Sequence, residues 1–113
     1  MDLSEEQKAG LMELQALQQQ LQSVLMQKQQ LQAASAEFDR ALEAVKAQPQ
    51  GKFYRFAGAV LVPRDAASLE KELSEEKQLA SSRIESFSKF EEKLRQRASE
   101  VQKKLEKPAA RNG

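Results

Sequence analysis

From Leu11 to Gln48, and again from Arg64 to Lys107, the chain contains no glycine and no proline. Those are the two strongest helix breakers. Each run can therefore propagate as one helix of about 40 residues, or ~60 Å at 1.5 Å per residue. The breakers collect between the runs, at Pro49, Gly51, Gly58 and Pro63, and Pro108 closes the second. Ser4, with Gln7 three residues on, has the spacing of a capping box, so the first helix is expected over 4–47. Gly10 could leave its first turns frayed. Asp65, just after Pro63, suits the N-cap of a second helix over 65–107. The tail 108–113 is expected to be disordered.

Within both runs apolar residues recur at alternating steps of three and four. In the first run this seam is Leu14, Leu17, Leu21, Val24, Lys28, Leu31, Ser35, Phe38, Leu42 and Val45. In the second it is Leu73, Lys77, Ala80, Ile84, Phe87, Glu91, Leu94, Ala98, Val101 and Leu105. A heptad register kept over more than four repeats in both runs argues for a coiled coil. The short connection folds the two helices back antiparallel. Pairing residues equally far from the turn sets Ser35 near Lys77 and Leu21 near Glu91. Such polar seam residues weaken the pair but help fix its register.

Phe53-Tyr54-Arg55-Phe56-Ala57-Gly58-Ala59-Val60-Leu61-Val62 is unlike either run. It holds three of the six aromatics, and two β-favouring stretches flank one glycine. That is the pattern of a β-hairpin over 53–62. The fold class expected is mainly α: a long antiparallel two-helix coiled coil with one central β-hairpin at the bend, as a single domain. Along the strands Tyr54 and Phe56 point one way and Phe53 and Arg55 the other. Val60 and Val62 likewise oppose Leu61. Both faces are thus largely apolar, as in a strand covered on both sides, whereas a two-helix stalk covers one face at most. An isolated hairpin is marginal in water, and its edges carry unpaired backbone groups that invite another chain. Two readings follow: a loop tucked against its own stalk, or an assembly module whose hairpins join into a shared sheet or barrel. The second accounts for both apolar faces.

Composition excludes several functions. With no cysteine and no histidine, disulfides, thiolate chemistry, imidazole acid–base catalysis and the usual zinc sites are ruled out. Adjacent carboxylates such as Glu5/Glu6, Glu75/Glu76 and Glu91/Glu92 project about 100° apart on a helix, so they cannot share a catalytic or metal site in the usual way. The chain is therefore expected not to be an enzyme, and to need no cofactor. Net charge is +1, which gives no gross pull towards nucleic acid or membrane. Late basic residues, among them Lys93, Arg95, Arg97, Lys103, Lys104 and Lys107, are interrupted by Glu92, Glu100 and Glu106 without stacking aromatics. No apolar run approaches the ~20 residues of a membrane span, and the acidic start Met-Asp-Leu-Ser-Glu-Glu lacks a signal core. A cytoplasmic location is expected.

The order helix, hairpin, helix resembles a β-class prefoldin subunit. Such subunits show a Tyr-Lys/Arg-x-x-Gly-x-Val/Leu-Leu-Val/Ile run, matched by Tyr54, Arg55, Gly58, Val60, Leu61 and Val62. The glutamine-rich segments Leu17-Gln18-Gln19-Gln20-Leu21 and Gln27-Lys28-Gln29-Gln30-Leu31 resemble the family's first helix. One hairpin rather than two fits the β class over the α class. Pro63 departs from the polar or basic residue often found there, and would either shorten strand two or terminate an edge. The resemblance implies a hetero-hexamer of two α-class and four β-class subunits, joined through hairpins. It also implies coiled-coil tips that hold unfolded client proteins and pass them to a group II chaperonin without ATP. No G-x-x-x-x-G-K-[ST] loop is present.

Assembly is accordingly assigned to Phe53, Tyr54, Phe56, Gly58, Val60, Leu61 and Val62. Client binding is assigned to the arm ends, at Leu11, Met12, Leu14, Leu17, Leu94, Val101 and Leu105. Leu11 and Met12 fall off the seam, so helix pairing does not bury them. The other five are also explained as ordinary seam residues. Phe90, off the seam too, reads equally as a groove-lining aromatic or a cap on the flank of the coil. A structural coiled-coil adaptor, with the central segment acting only as a turn, is the competing reading.

Overall fold

The computed structural model describes residues 3–106. In chain order these form helix α1 (Glu5–Ala47), strands β1 (Phe53–Ala57) and β2 (Val60–Arg64), and helix α2 (Ala66–Glu106). Both expected caps are made. The Gln7 amide donates to Ser4 Oγ and the Ser4 amide to Gln7 Oε1, each at 3.0 Å, so two orphan donors of the first turn are satisfied reciprocally. At α2 the Ser68 amide donates to Asp65 Oδ1 at 2.7 Å, which holds the Asp65 carboxyl below its usual range. Gly10 sits inside α1, which begins at Glu5. A Cβ there would stand 2.8 Å from Leu105 Cδ2, so the bare glycine gives Leu105 its seat. The expected end of the second helix at Lys107 and the tail 108–113 lie outside the described residues.

Every residue of both expected seams is buried or half-buried. The chain forms two compact units. The terminal unit, drawn from residues up to Lys28 and from Ser86 on, buries Leu17, Val24, Leu94 and Val101, with Leu14, Leu21, Phe87, Ala98 and Leu105 packed against them. The hairpin unit, Gln29–Glu85, buries Leu42, Val45, Leu69 and Leu73, joined by Phe38, Ala41, Phe53 and Ala66. In each, higher numbers on α1 meet lower numbers on α2, so the helices run antiparallel.

Each charge on the seam has an opposite charge: Glu91 binds Lys28 at 2.9 Å, and Lys77 pairs with Asp39, one turn on from Ser35. Such pairing offsets the hydration that a half-buried charge loses.

The hairpin register pairs Phe53 with Arg64, Tyr54 with Pro63, Arg55 with Val62, Phe56 with Leu61 and Ala57 with Val60. Gly58, at φ 65°, opens the two-residue turn. That left-handed conformation suits the twist of the strands and is easy only for glycine. Strand β2 runs through Pro63 to Arg64, past its expected end at Val62. Pro63 is tolerated because it stands opposite Tyr54 at a position whose N–H would point away from β1.

Candidate functional site: the outer face of the hairpin and the helix ends

Alternation along β1 and β2 sorts their side chains onto two faces. Phe53, Arg55, Val62 and Arg64 are half-buried towards the helices, while Tyr54, Phe56, Leu61 and Pro63 face solvent. The inner face is fastened by packing and by charge. Phe53 joins the Leu42/Val45/Leu69/Leu73 cluster. Glu72 Oε1 accepts from Arg55 at 3.2 Å, and Glu72 Oε2 from Arg64 at 3.0 Å. Arg55 also donates to Glu76 through both carboxylate oxygens. Those bonds, to Glu76 first and then Glu72, raise the Arg55 pKa above its usual range. One face of the hairpin is thereby held on α2.

The other face has no such cover. Relative exposure is 60% for Tyr54, 75% for Phe56 and 53% for Leu61, and Val60 near the turn stands at 62%. Because Phe56 and Leu61 are cross-strand partners and Tyr54 faces Pro63, these four form one continuous apolar surface on a backbone fixed by the ladder; Val60, paired with Ala57, has the parity of Val62 and is exposed beside the turn. Of the residues expected to take part in assembly, Tyr54, Phe56 and Leu61 lie on this exposed surface, and Val60 is exposed beside the turn on the other parity. Gly58 makes the turn, and Phe53 and Val62 turn inward, where Phe53 anchors the hairpin.

In the terminal unit the seven expected client residues divide. Leu11 and Met12 are exposed, at 45% and 71%. Leu17, Leu94 and Val101 are core residues at 8%, 6% and 3%, and Leu14 and Leu105 pack on them. For these five the seam explains the position, since each meets the facing helix at the heptad spacing. Leu3 and Phe90 add exposed apolar surface at 45% and 46%. Met26 and Leu79, each 60% exposed, were not singled out from the sequence. The signal that finds them is the one that found Leu11 and Met12: an apolar residue that falls off the three–four seam.

Charge pairs bind the terminal unit across its helices. Arg97 donates to Glu13 Oε2 at 2.7 Å and Oε1 at 3.0 Å, a bidentate pair, and this holds the Glu13 carboxyl below its usual range. Glu91 accepts from Lys28 at 2.9 Å and Arg95 at 3.0 Å; with the Lys28 bond the larger cause, its carboxyl is also lowered. Among the described residues, no cluster of acidic side chains is suited to a metal ion, and no helix is long and apolar enough to cross a membrane.

The arrangement matches known proteins. The family model described as prefoldin subunit matches residues 8–111. The prefoldin subunit beta of Archaeoglobus fulgidus is 39% identical over 95 residues, covering 83% of this chain and 82% of that one. Its counterpart from Pyrobaculum arsenaticum is 35% identical over 93 residues, covering 81% and 75%. The crystal structure of the prefoldin beta subunit from Thermococcus strain KS-1 superposes with a TM-score of 0.82 at 27% identity, over 95% of this chain and 98% of that one.

Proposed function

The chain belongs to the prefoldin family, and on that premise we propose that it is a β-class subunit of an ATP-independent holdase. Its hairpin joins those of α-class and other β-class subunits in a cytoplasmic hetero-hexamer. Its helix ends capture non-native client proteins and deliver them to a group II chaperonin. No bond is made or broken in this cycle, so the chain needs no catalytic residue.

The observation that carries the assembly half is the uncovered face of Tyr54, Phe56 and Leu61, on a hairpin whose other face is fastened, together with Val60 beside the turn; the four are 53–75% exposed. Fully burying one such side chain contributes ~1.5–3 kcal/mol, so these four, already partly covered, have roughly 4–8 kcal/mol left to gain. Losing free translation and rotation opposes association by about 4–15 kcal/mol. One hairpin against one other is then close to balance. Several hairpins closing together share that loss and prevail, which favours a multi-chain platform over a dimer.

Leu11 and Met12 support the capture half. Both are exposed, unbranched at Cβ and able to repack around different partners. Leu14, Leu17, Leu94, Val101 and Leu105 would add to the surface when the last turns part. Contacts of a few side chains are weak singly, and several subunits acting on one client make them effective by avidity.

Size-exclusion chromatography with light scattering tests the reading. Alone the chain should self-associate loosely, and with a purified α-class prefoldin subunit it should shift to a hexamer. A stable monomer indifferent to that subunit would return the chain to a structural coiled-coil role.

A further inference from the structure

The two helices of the terminal unit differ in the chemistry they show to solvent. Residues 86–106 of α2 carry ten charged side chains, whereas residues 14–27 of α1 carry none and hold six glutamines. The flank of a coiled coil is commonly built from glutamate and lysine instead. The two charges that bracket this neutral stretch are both bound to α2: Glu13 accepts from Arg97 at 2.7 Å, and Lys28 donates to Glu91 at 2.9 Å.

The glutamines also keep a register. Leu11, Gln15, Gln18, Gln22 and Leu25 follow one another at steps of four and three. That is the spacing of the seam displaced by one residue, or ~100° around the helix, and it makes a second row ~21 Å long. Gln15, Gln18 and Gln22, with Gln19 beside them, line an open groove of about 500 Å³ whose apolar part is Leu21 and Leu25. The four glutamines are exposed and the two leucines half-buried. Arg95 of α2 also reaches this groove, but it already donates to Glu91 at 3.0 Å. Gln27, outside the groove, donates to Ser23 Oγ at 3.2 Å, while the four groove glutamines have no hydrogen-bond partner among the described residues.

A glutamine side chain ends in the same groups as the backbone, a carbonyl that accepts and an amide nitrogen that donates. Each can bond both a C=O and an N–H of a passing chain. We propose that this row reads backbone: Gln15, Gln18 and Gln22 hold an extended segment of a client polypeptide by its peptide groups, while Leu11 and Leu25 touch its side chains. About six extended residues, at ~3.3 Å each, cover the row. Its neutrality suits clients of either charge, which meet no repulsion there. A folded helix or sheet has its backbone groups already paired, so the row holds unfolded chain and loses its grip as the client folds. This assignment rests on the capture reading above, and adds selection for unpaired backbone to the apolar contacts of Leu11 and Met12.

Peptide binding to the complex with a purified α-class subunit, followed by fluorescence anisotropy, tests the row. The probes are an unstructured peptide of about ten alanine, serine and leucine residues and the same peptide N-methylated at alternate backbone amides. Methylation removes donors and adds apolar surface, so the methylated peptide should bind about fivefold more weakly or worse. Gln18→Met with Gln22→Met keeps length, flexibility and helix propensity. It should cost the parent peptide about fivefold or more and erase the difference between the two peptides. Apolar contact alone would hold the methylated peptide, and the methionine variant would hold both, at least as tightly. Either result overturns the assignment and leaves capture standing. If neither peptide binds, the row has no such role, and capture falls with it only where Leu11→Ser with Met12→Ser also leaves suppression of client aggregation unchanged. A changed oligomeric state of the lone chain on Gln18→Met with Gln22→Met would give the row to a second copy of the chain, and would equally overturn the proposal.

Discussion

The hairpin unit and the terminal unit are each built on a cluster of four buried residues, yet they expose apolar surface in opposite styles. In the hairpin unit it sits mainly on Tyr54, Phe56, Val60 and Leu61, aromatic or branched side chains on a laddered backbone, with Leu79 on α2. In the terminal unit it sits largely on Leu3, Leu11, Met12 and Met26, flexible side chains spaced along one helix and the residues before it, with Phe90 on the other. A rigid continuous face loses little entropy when it meets one defined partner. A scattered flexible one adapts to many partners at lower affinity for each. The contrast suits permanent assembly in one region and transient capture in the other.

The sharpest way to break that contrast is Val60→Ser with Leu61→Ser. Assembly with an α-class subunit should fall 100-fold or more by light scattering, while far-ultraviolet circular dichroism of the helices barely changes. An intact oligomer would deprive the hairpin of its assigned part. Next in size is Leu94→Ala, which hollows the terminal core. Such truncations destabilise by about 2–5 kcal/mol, and a strip core that can collapse onto water belongs at the low end. Hydrogen exchange should quicken around Val24 and Val101 and stay unchanged around Leu42 and Leu73. A uniform change would mean that the two units open as one.

A smaller effect is expected from Leu11→Ser with Met12→Ser. Suppression of client aggregation should drop severalfold with hexamer formation intact, and unchanged suppression would move client binding elsewhere. The smallest effect is acid sensitivity. The Glu13 and Glu91 carboxyls in the terminal unit are lowered by Arg97 and by Lys28, and Asp65 beside the hairpin by Ser68. A carboxylate with a depressed folded pKa binds fewer protons than in the unfolded chain. Its contribution is therefore complete above the ordinary 4.5 of glutamate or 3.8 of aspartate and is lost as pH falls through the lowered value. Below about pH 4 amides of the terminal unit should lose protection before those of the hairpin unit. Equal loss in both would erase the distinction.

Much of this was legible in the chain because it is periodic. A seam at every three and four residues places its members inward whatever the partner, which is why all twenty of those positions came out covered. The Ser4–Gln7 box and the Asp65 cap were legible because each bond spans three residues. Partner choice across the helices was not, since several registers bury the same leucines, and the pairing of Lys28 with Glu91 and of Lys77 with Asp39 depends on which register forms. Nor was the fastening of the hairpin. Arg55 reads as the polar member of an alternating strand, and only the folded chain brings Glu72 and Glu76 beneath it. Strand β2 outran its expected end because Pro63 happens to lie at an outward-facing position, a parity that depends on where the turn closes.

Among the described residues no large side chain is fully sealed from solvent; even Val24, Val45 and Val101 keep 3% of their surface accessible. A strip core of this kind leaves the lone chain with a shallow free-energy minimum. Binding to the native state alone deepens that minimum by mass action, in proportion to the logarithm of free partner concentration over the dissociation constant. The melting temperature of this subunit is then set by how much of its partner surrounds it, and dilution alone should make it easier for a protease to cut.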